Sequence, residues 1–337
     1  MKKRFYFTAE VFSGVILFCA IFMGGSVAGA QSVSTISSAT NFVSDGLSVD
    51  AAGNIYSSDF AGTDPVNGNG TTVYKITPSG TVSTFATGID KPLAGTIDSV
   101  GNLYVCEVAG SFTGRIYKIT PAGVKTVFCE DGLSIPACVS IGKDGNFYAG
   151  NFSVATIVKI SPAGVVSPFV NLGGISDIAV DDAGNFYASI YSTGKIQKIT
   201  PSGTVSTLAT LPASPAAGLG HIIFSKGNLF VPSQLANRIF KVSLAGDTVS
   251  FAGTGAAGGI DGTAASATFT FPNGIAATPT GDTLYVAEYP TKKLRRITGV
   301  LSATSGTKKD KSGRPSGYLL EQNYPNPFNP STVINYR

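Results

Sequence analysis

The sequence predicts an all-β fold: a six-bladed β-propeller, its ring closed by the N-terminal strand, with a short extended C-terminal tail. Three observations carry that prediction. A Gly-Asn or Gly-Asp turn recurs six times, a Pro-x-Gly turn recurs between later pairs of apolar runs, and one orphan run near the N-terminus matches a strand missing from the last repeat.

The first turn stands at Gly53-Asn54, Gly101-Asn102, Gly145-Asn146, Gly184-Asn185, Gly227-Asn228 and Gly281-Asp282, at spacings of 39 to 54 residues. That length fits four short strands and their turns. The fourth repeat shows the unit in full. Ile178-Ala179-Val180 leads through Asp181-Asp182-Ala183-Gly184-Asn185 into Phe186-Tyr187-Ala188. Then Ile196-Gln197-Lys198-Ile199 leads through Thr200-Pro201-Ser202-Gly203 into Thr204-Val205-Ser206-Thr207. Proline fixes φ near −65° and the following glycine supplies a left-handed residue, which folds each pair of runs into a hairpin. Apolar runs this short, bounded by such turns, read as strands. One four-stranded sheet cannot bury both of its faces, whereas sheets stacked around an axis can.

Closure follows from the count of strands. The last repeat reaches its third strand at Leu294-Arg295-Arg296-Ile297 and shows no fourth. The orphan run Val33-Ser34-Thr35-Ile36 resembles the fourth strands at Val82-Ser83-Thr84-Phe85 and Val205-Ser206-Thr207-Leu208. It is expected to supply the outer strand of blade six, so that residues 31–44 belong to the last blade.

The ends divide from this body by composition. Lys2, Lys3 and Arg4, the apolar run from Val15 to Met23, and Ala28-Gly29-Ala30 form a cleavable signal peptide over residues 1–30. Residues 31–300 form the propeller. Residues 301–317, rich in Ser, Thr, Gly and Lys, read as a linker before the tail at 318–337. The expected location is therefore secreted or on the outer-membrane surface. The formal charge of +4 comes from the ends, since positions 31–290 hold 12 basic and 17 acidic residues. A mildly acidic body excludes a nucleic-acid partner, and the apolar leader is too short for a transmembrane span. A monomer is expected.

Residues present in every blade read as scaffold. Lys75, Lys118, Lys159, Lys198, Lys241 and Arg296 share one position and are expected to lay aliphatic stems over neighbouring strands. The recurring Tyr56, Tyr104, Tyr148, Tyr187 and Tyr285 are expected to pack the blades. Function belongs where copies differ, near the axis. Counting eight residues back from each turn glycine gives Asp45, Leu93, Ala137, Ser176, Leu219 and Asn273 at the starts of the first strands. The ends of the second strands are Asp59, Glu107, Asn151, Ile190, Ser233 and Glu288. Asp59, Glu107, Asn151 and Glu288 are thus candidate ligand-binding residues. Asp45, Asn273 and Glu107 are candidate metal ligands, an oxygen set suited to Ca²⁺ or Mg²⁺. The competing reading is that these side chains bond backbone amides of their own loops. His221 is the sole histidine and a candidate catalytic base. Cys129 and Cys138 lie about three strand spacings apart, too far for a disulfide. Cys106 with Cys138 stays open as a pairing. No zinc spacing, phosphate-cradling glycine loop or serine elbow is present.

These residues carry three resemblances. Phe251-Ala252-Gly253-Thr254-Gly255, Asp261-Gly262, Pro272-Asn273-Gly274-Ile275-Ala276, Leu284-Tyr285-Val286-Ala287-Glu288 and Leu294-Arg295-Arg296-Ile297 resemble the NHL repeat. The units from Lys195-Ile196 through Thr200-Pro201-Ser202-Gly203 resemble virginiamycin B lyase-type repeats and, more distantly, gluconolactonase-type propellers. The gluconolactonase resemblance implies a divalent metal near Asn273, and the lyase resemblance implies a channel base at His221. The run from Tyr318 to Thr332 resembles the opening of a type IX secretion C-terminal sorting domain, cut short at Arg337. It implies the type IX secretion machinery as a partner. The leading functional expectation is a binding module for a glycan, peptide or other envelope partner. The alternative is a metal-dependent lactonase- or lyase-like enzyme with its site at the channel mouth, and a third is a passive structural component.

Overall fold

The computed structural model describes residues 31–37, 42–64, 68–110, 112–212, 218–289 and 291–300. The expected signal peptide, linker and sorting-domain start lie outside these residues. Five four-stranded antiparallel sheets and one five-stranded sheet make six blades. The innermost strands are Leu47–Val49, Pro92–Ile97, Pro136–Ile141, Ile175–Val180, Ile223–Ser225 and Pro272–Ala277. In the first five blades each strand pairs with the next in sequence, so the chain steps outward from the axis and then crosses to the next blade. No helix among the described residues is long and apolar enough to cross a membrane.

Local chemistry explains the first turn. Asp181 Oδ1 accepts from the backbone N–H of Ala183 and Asn185 at 2.9 and 2.8 Å. Its Oδ2 accepts from Asn185 Nδ2 and the Tyr187 hydroxyl at 2.8 and 2.9 Å. Gly184 sits at φ 83°, where a side chain would be strained. Asp50 and Asp98 repeat the arrangement with Asn54 and Tyr56, and with Asn102 and Tyr104. Blade five departs from it, joining Ser225 to Asn228 through Lys226 and Gly227, both at positive φ, a type I′ turn. The repeated lysines do more than lie on strands. Lys75, Lys118, Lys159 and Lys198 place their ammonium groups 5.5 to 6.0 Å from the ring centres of Tyr56, Tyr104, Tyr148 and Tyr187.

The second turn also has a built-in brace. The Thr200 hydroxyl accepts from Thr204 N–H at 3.0 Å, while Gly203 N–H bonds Thr200 O at 2.9 Å. Thr77, Thr120 and Ser161 do the same in blades one to three.

The core is divided into six apolar wedges, each shared by two neighbouring blades. Tyr104, Cys106 and Ile116 of blade two pack with Val139, Phe147 and Ile160 of blade three in one of them. Across the next boundary Tyr148 meets Phe186 at 4.2 Å between ring centres. No blade buries its faces alone, which is why the ring must close.

Ser32–Ser37 closes it, pairing antiparallel with Lys293–Thr298 in the register Val33 to Ile297 and Ser34 to Arg296. Gly262–Thr263 adds a further short strand outside it. An ion network around one buried arginine fastens the closure. Arg295 is fully buried, with Nη1 2.7 Å from Glu288 and Nη2 2.9 Å from Asp261. Asp261 in turn accepts from the Thr35 backbone N–H and hydroxyl, each at 2.9 Å. Lys292 joins blade six to blade one through Asp59 Oδ1 at 3.2 Å.

Candidate functional site

The segments that start the first strands converge where the blades meet the axis. Asp45 comes from blade one, Asp177 from blade four, His221 from blade five and Asn273 from blade six. All but Asp177 are buried, and Asp177 is largely so. His221 Nε2 lies 2.9 Å from Asp45 Oδ1, and its Nδ1 lies 3.4 Å from Asp177 Oδ2. Blades one and four stand opposite each other in a six-bladed ring, so this carboxylate–imidazole–carboxylate bridge crosses the axis. Asn273 Nδ2 donates to Asp45 Oδ2 at 3.1 Å, and Gln234 Nε2 donates to Asn273 Oδ1 at 2.7 Å. Backbone bonds hold the parts in place. His221 N–H donates to Asn273 O, and Asp177 accepts from Ile178 and Ile222 N–H at 2.8 and 3.2 Å.

Burial alone would lower the His221 pKa, but hydrogen bonds to Asp177 and Asp45 and the charges of both carboxylates outweigh it. The imidazole is pushed up to about 10 and is a cation at neutral pH. A general base needs a free lone pair. Here both ring nitrogens face carboxylate oxygens, so the geometry does not equip His221 for that role.

The implied divalent metal meets the same test. Asp45 accepts N–H donors on both oxygens, and the Asn273 carbonyl oxygen is turned to Gln234. Glu107 does not join them, because its Oε1 accepts from Asp90 N–H at 2.8 Å and its Oε2 lies 2.9 Å from Arg115 Nε. The oxygens a Ca²⁺ or Mg²⁺ ion would need are already committed, so these residues do not fit one. Among the described residues, no group of three or more His, Cys, Asp or Glu is arranged to hold a metal ion.

The four second-strand residues share one structural position and one habit. Asp59 accepts from Ser44 Oγ and Gly62 N–H, as well as from Lys292. Asn151 Oδ1 accepts from Ser134 N–H at 3.0 Å, and its Nδ2 donates to Gly132 O at 3.0 Å. Glu288 holds Thr291 and Arg295. With Glu107 on Asp90, these side chains brace the loops between and within blades. They point to those loops rather than to a common ligand position.

Counting missed Asp177 because of a shift of register, and it missed Gln234 because that residue follows the end of its second strand at Ser233. Eight residues before Gly184 stands Ser176, but pairing slips between Ile175 and Asp177, and Asp177 reaches the axis instead. Similar slips occur at Pro92/Gly95, Pro136/Cys138 and Pro272/Ile275. A carboxylate inside the apolar run Ile175-Ser176-Asp177-Ile178-Ala179-Val180 was the available signal. Cys106, Cys129 and Cys138 are buried free thiols. Burial, then the nearby Asp177 charge, pushes the Cys106 and Cys138 pKa values well up, so neither is a ready nucleophile.

Beyond Asp177 the inner strands line an open channel of about 490 Å³. Ser48, Thr96, Ser140, Ser225 and Thr278 line it, whereas Leu47, Ile178, Ile222 and Ile275 from the inner segments belong to the apolar wedges. The channel mouth at the far end carries Asp182 and Lys226.

This architecture is that of a six-bladed β-propeller, and solved β-propellers share it. A crystal structure of an auxiliary nutrient binding protein from Bacteroides ovatus is similar at TM-score 0.67 and 15% identity, over 80% of this chain and 76% of that one. A catalytically inactive virginiamycin B lyase from Staphylococcus aureus with quinupristin is similar at TM-score 0.57 and 17% identity, over 80% of this chain and 99% of that one. A gluconolactonase from Xanthomonas campestris is similar at TM-score 0.61 and 13% identity, over 79% of this chain and 89% of that one. At these identities the likeness is one of fold. No family model matches the chain, and no curated protein matches it.

Proposed function

We propose that this chain is an exported binding propeller that holds a ligand without converting it. One observation carries the reading: its sole histidine is buried between two carboxylates, with both ring nitrogens engaged. The axis therefore has a rigid polar lock where a hydrolytic or lyase propeller would need a free base. The fold likeness to a nutrient binding protein agrees with this reading. Likeness to a lyase and a gluconolactonase favours the enzymatic alternative, but the committed oxygens of Asp45 and Asn273 weigh against it. Export rests on the basic and apolar leader with Ala28-Gly29-Ala30, and the run Tyr318 to Thr332 supports surface sorting by the type IX machinery. Glycan, peptide and protein ligands all lie within this reading. Titration calorimetry against such ligands, run beside lactone-hydrolysis assays with Ca²⁺ or Mg²⁺, tests it. Saturable binding with the ligand recovered intact is the expected result. Metal-dependent lactone cleavage overturns the reading.

A further inference from the structure

Cleavage after Ala28-Gly29-Ala30 leaves Gln31 as the first residue of the exported chain. Only this residue separates the cleavage site from the closing strand Ser32–Ser37. Neighbouring bonds fix its position. Ser32 pairs with Thr298 on one side and Thr263 on the other. The Gln31 carbonyl accepts from Ala264 N–H at 3.0 Å, and Ala264 O in turn accepts from Gly253 N–H at 2.8 Å. Gly253 directly follows the outer strand of blade five, Thr248–Ala252. The new end is thus pinned between the last two blades.

Gln31 lines a groove of about 450 Å³ there, with Arg238, Ser250, Thr254 and Ala264 among its other walls. Arg238 is held in place by Thr254 O at 2.6 Å and Ser250 Oγ at 3.4 Å. A side chain at Gly255 would come within 2.8 Å of its Nε, so that glycine leaves the guanidinium its room. Among the described residues, no Asp or Glu lines this groove. A free α-amine has a pKa of about 8 and is mostly charged at neutral pH. At Gln31 it would put a second cation in the groove of Arg238, with no carboxylate in the walls to answer it. Like charges sharing a site disfavour the charged form of each.

We propose that Gln31 is a modification site, converted to pyroglutamate once the leader is removed, so that an uncharged lactam caps the closing strand. The inference rests on the export reading above. Glutamine at a free N-terminus carries both reactants. Its α-amine attacks its own side-chain Cδ, an N–Cδ bond forms, the Cδ–Nε2 bond breaks, and ammonia leaves with the proton the amine gives up. Nothing is oxidised or reduced, and no co-reactant is consumed. The main-chain carbonyl of Gln31 takes no part, so its bond to Ala264 is kept. The lactam removes the charge from the groove of Arg238 and leaves no free α-amine for an aminopeptidase. Chain ends are where proteolysis concentrates, and here the end is also the ring's fastening. Trimming from it would reach Val33, which is 2% exposed and shares one apolar wedge with Phe251 and Ile297.

Mass spectrometry of the full 337-residue chain, exported under its own leader and measured at harvest, tests this. The N-terminal peptide is expected to begin at residue 31 and to be lighter than its sequence by one ammonia. Gln31→Ala, which has no side-chain amide to cyclise, is expected to begin at the same position with a free amine. A broad-specificity aminopeptidase is then expected to shorten that variant and to leave the wild-type protein intact. A free amine on wild-type Gln31 at harvest, or cyclisation that develops only on storage, overturns the modification and leaves export standing. Equal trimming of the two proteins overturns the capping role. Cleavage at another position also overturns the modification, whereas an exported fraction that is empty, with residues 1–30 retained in the cells, removes the export reading itself.

Discussion

His221 is held as a cation between carboxylates from opposite blades, and this gives the protein an alkaline limit. Its folded pKa of about 10 lies above the unfolded value of 6.5. The bridge therefore contributes in full below pH 6.5, and its contribution is lost as pH rises through about 10. Between those values the folded state holds one proton more than the unfolded state. Stability from this group then falls by up to about 1.4 kcal/mol per pH unit. Urea denaturation from pH 6 to 10 is expected to show that decline, and His221→Ala to abolish it. Removing the cation leaves Asp45 and Asp177 facing a buried gap, at a cost of about 3–5 kcal/mol near pH 6. A variant with the wild-type slope would show that another group sets it. Composition marked His221 as singular, but which groups surround it depends on blades far apart in sequence.

The first turn repeats its Asp-centred bonds in blades one to four, and that chemistry sets an acid limit. Burial tends to raise the pKa values of Asp50, Asp98 and Asp181, but bonds from Asn54, Asn102 and Asn185, with backbone and Tyr donors, bring them below 3.8. Asp144 is lowered in the same sense, against burial, by Lys159 and then by Asn146 and Tyr148. Folded pKa values below the unfolded ones mean stability that is present above pH 3.8 and lost as pH falls beneath it. Melting temperature is expected to drop steeply below about pH 4. Asp181→Ala, which removes one of the four clamps, should lower the melting temperature at pH 7 and flatten this acid limb. An acid limb as steep as the wild-type one would place its origin elsewhere. These turns were legible in the sequence because Asp, Gly, Asn and Tyr lie within seven residues, close enough for local bonds to dictate the shape.

The molecule as a whole depends on closure, since its core is six wedges that each need two blades. Removing residues 31–44 takes away the outer strand of blade six, the Thr35 bonds to Asp261 and one edge of the wedge between blades six and one. Calorimetry of that deletion is expected to show loss of the single cooperative transition, and an unchanged melting profile would refute the closure. Blade count, the positions of the hairpin turns, strand order and the N-terminal closure were all readable from sequence. Each depends on short-range patterning repeated six times, or on a gap in the repeat that one orphan run fills. The site at the axis was readable only in part. Counting found Asp45 and Asn273 and composition found His221, but a register slip hid Asp177, and the loops of their own blades claimed Asp59, Glu107, Asn151 and Glu288. Periodicity determines which residues point toward the axis. Only the closed ring decides which of them meet across it, because those contacts join blades up to 228 residues apart and depend on bulges that no local pattern specifies.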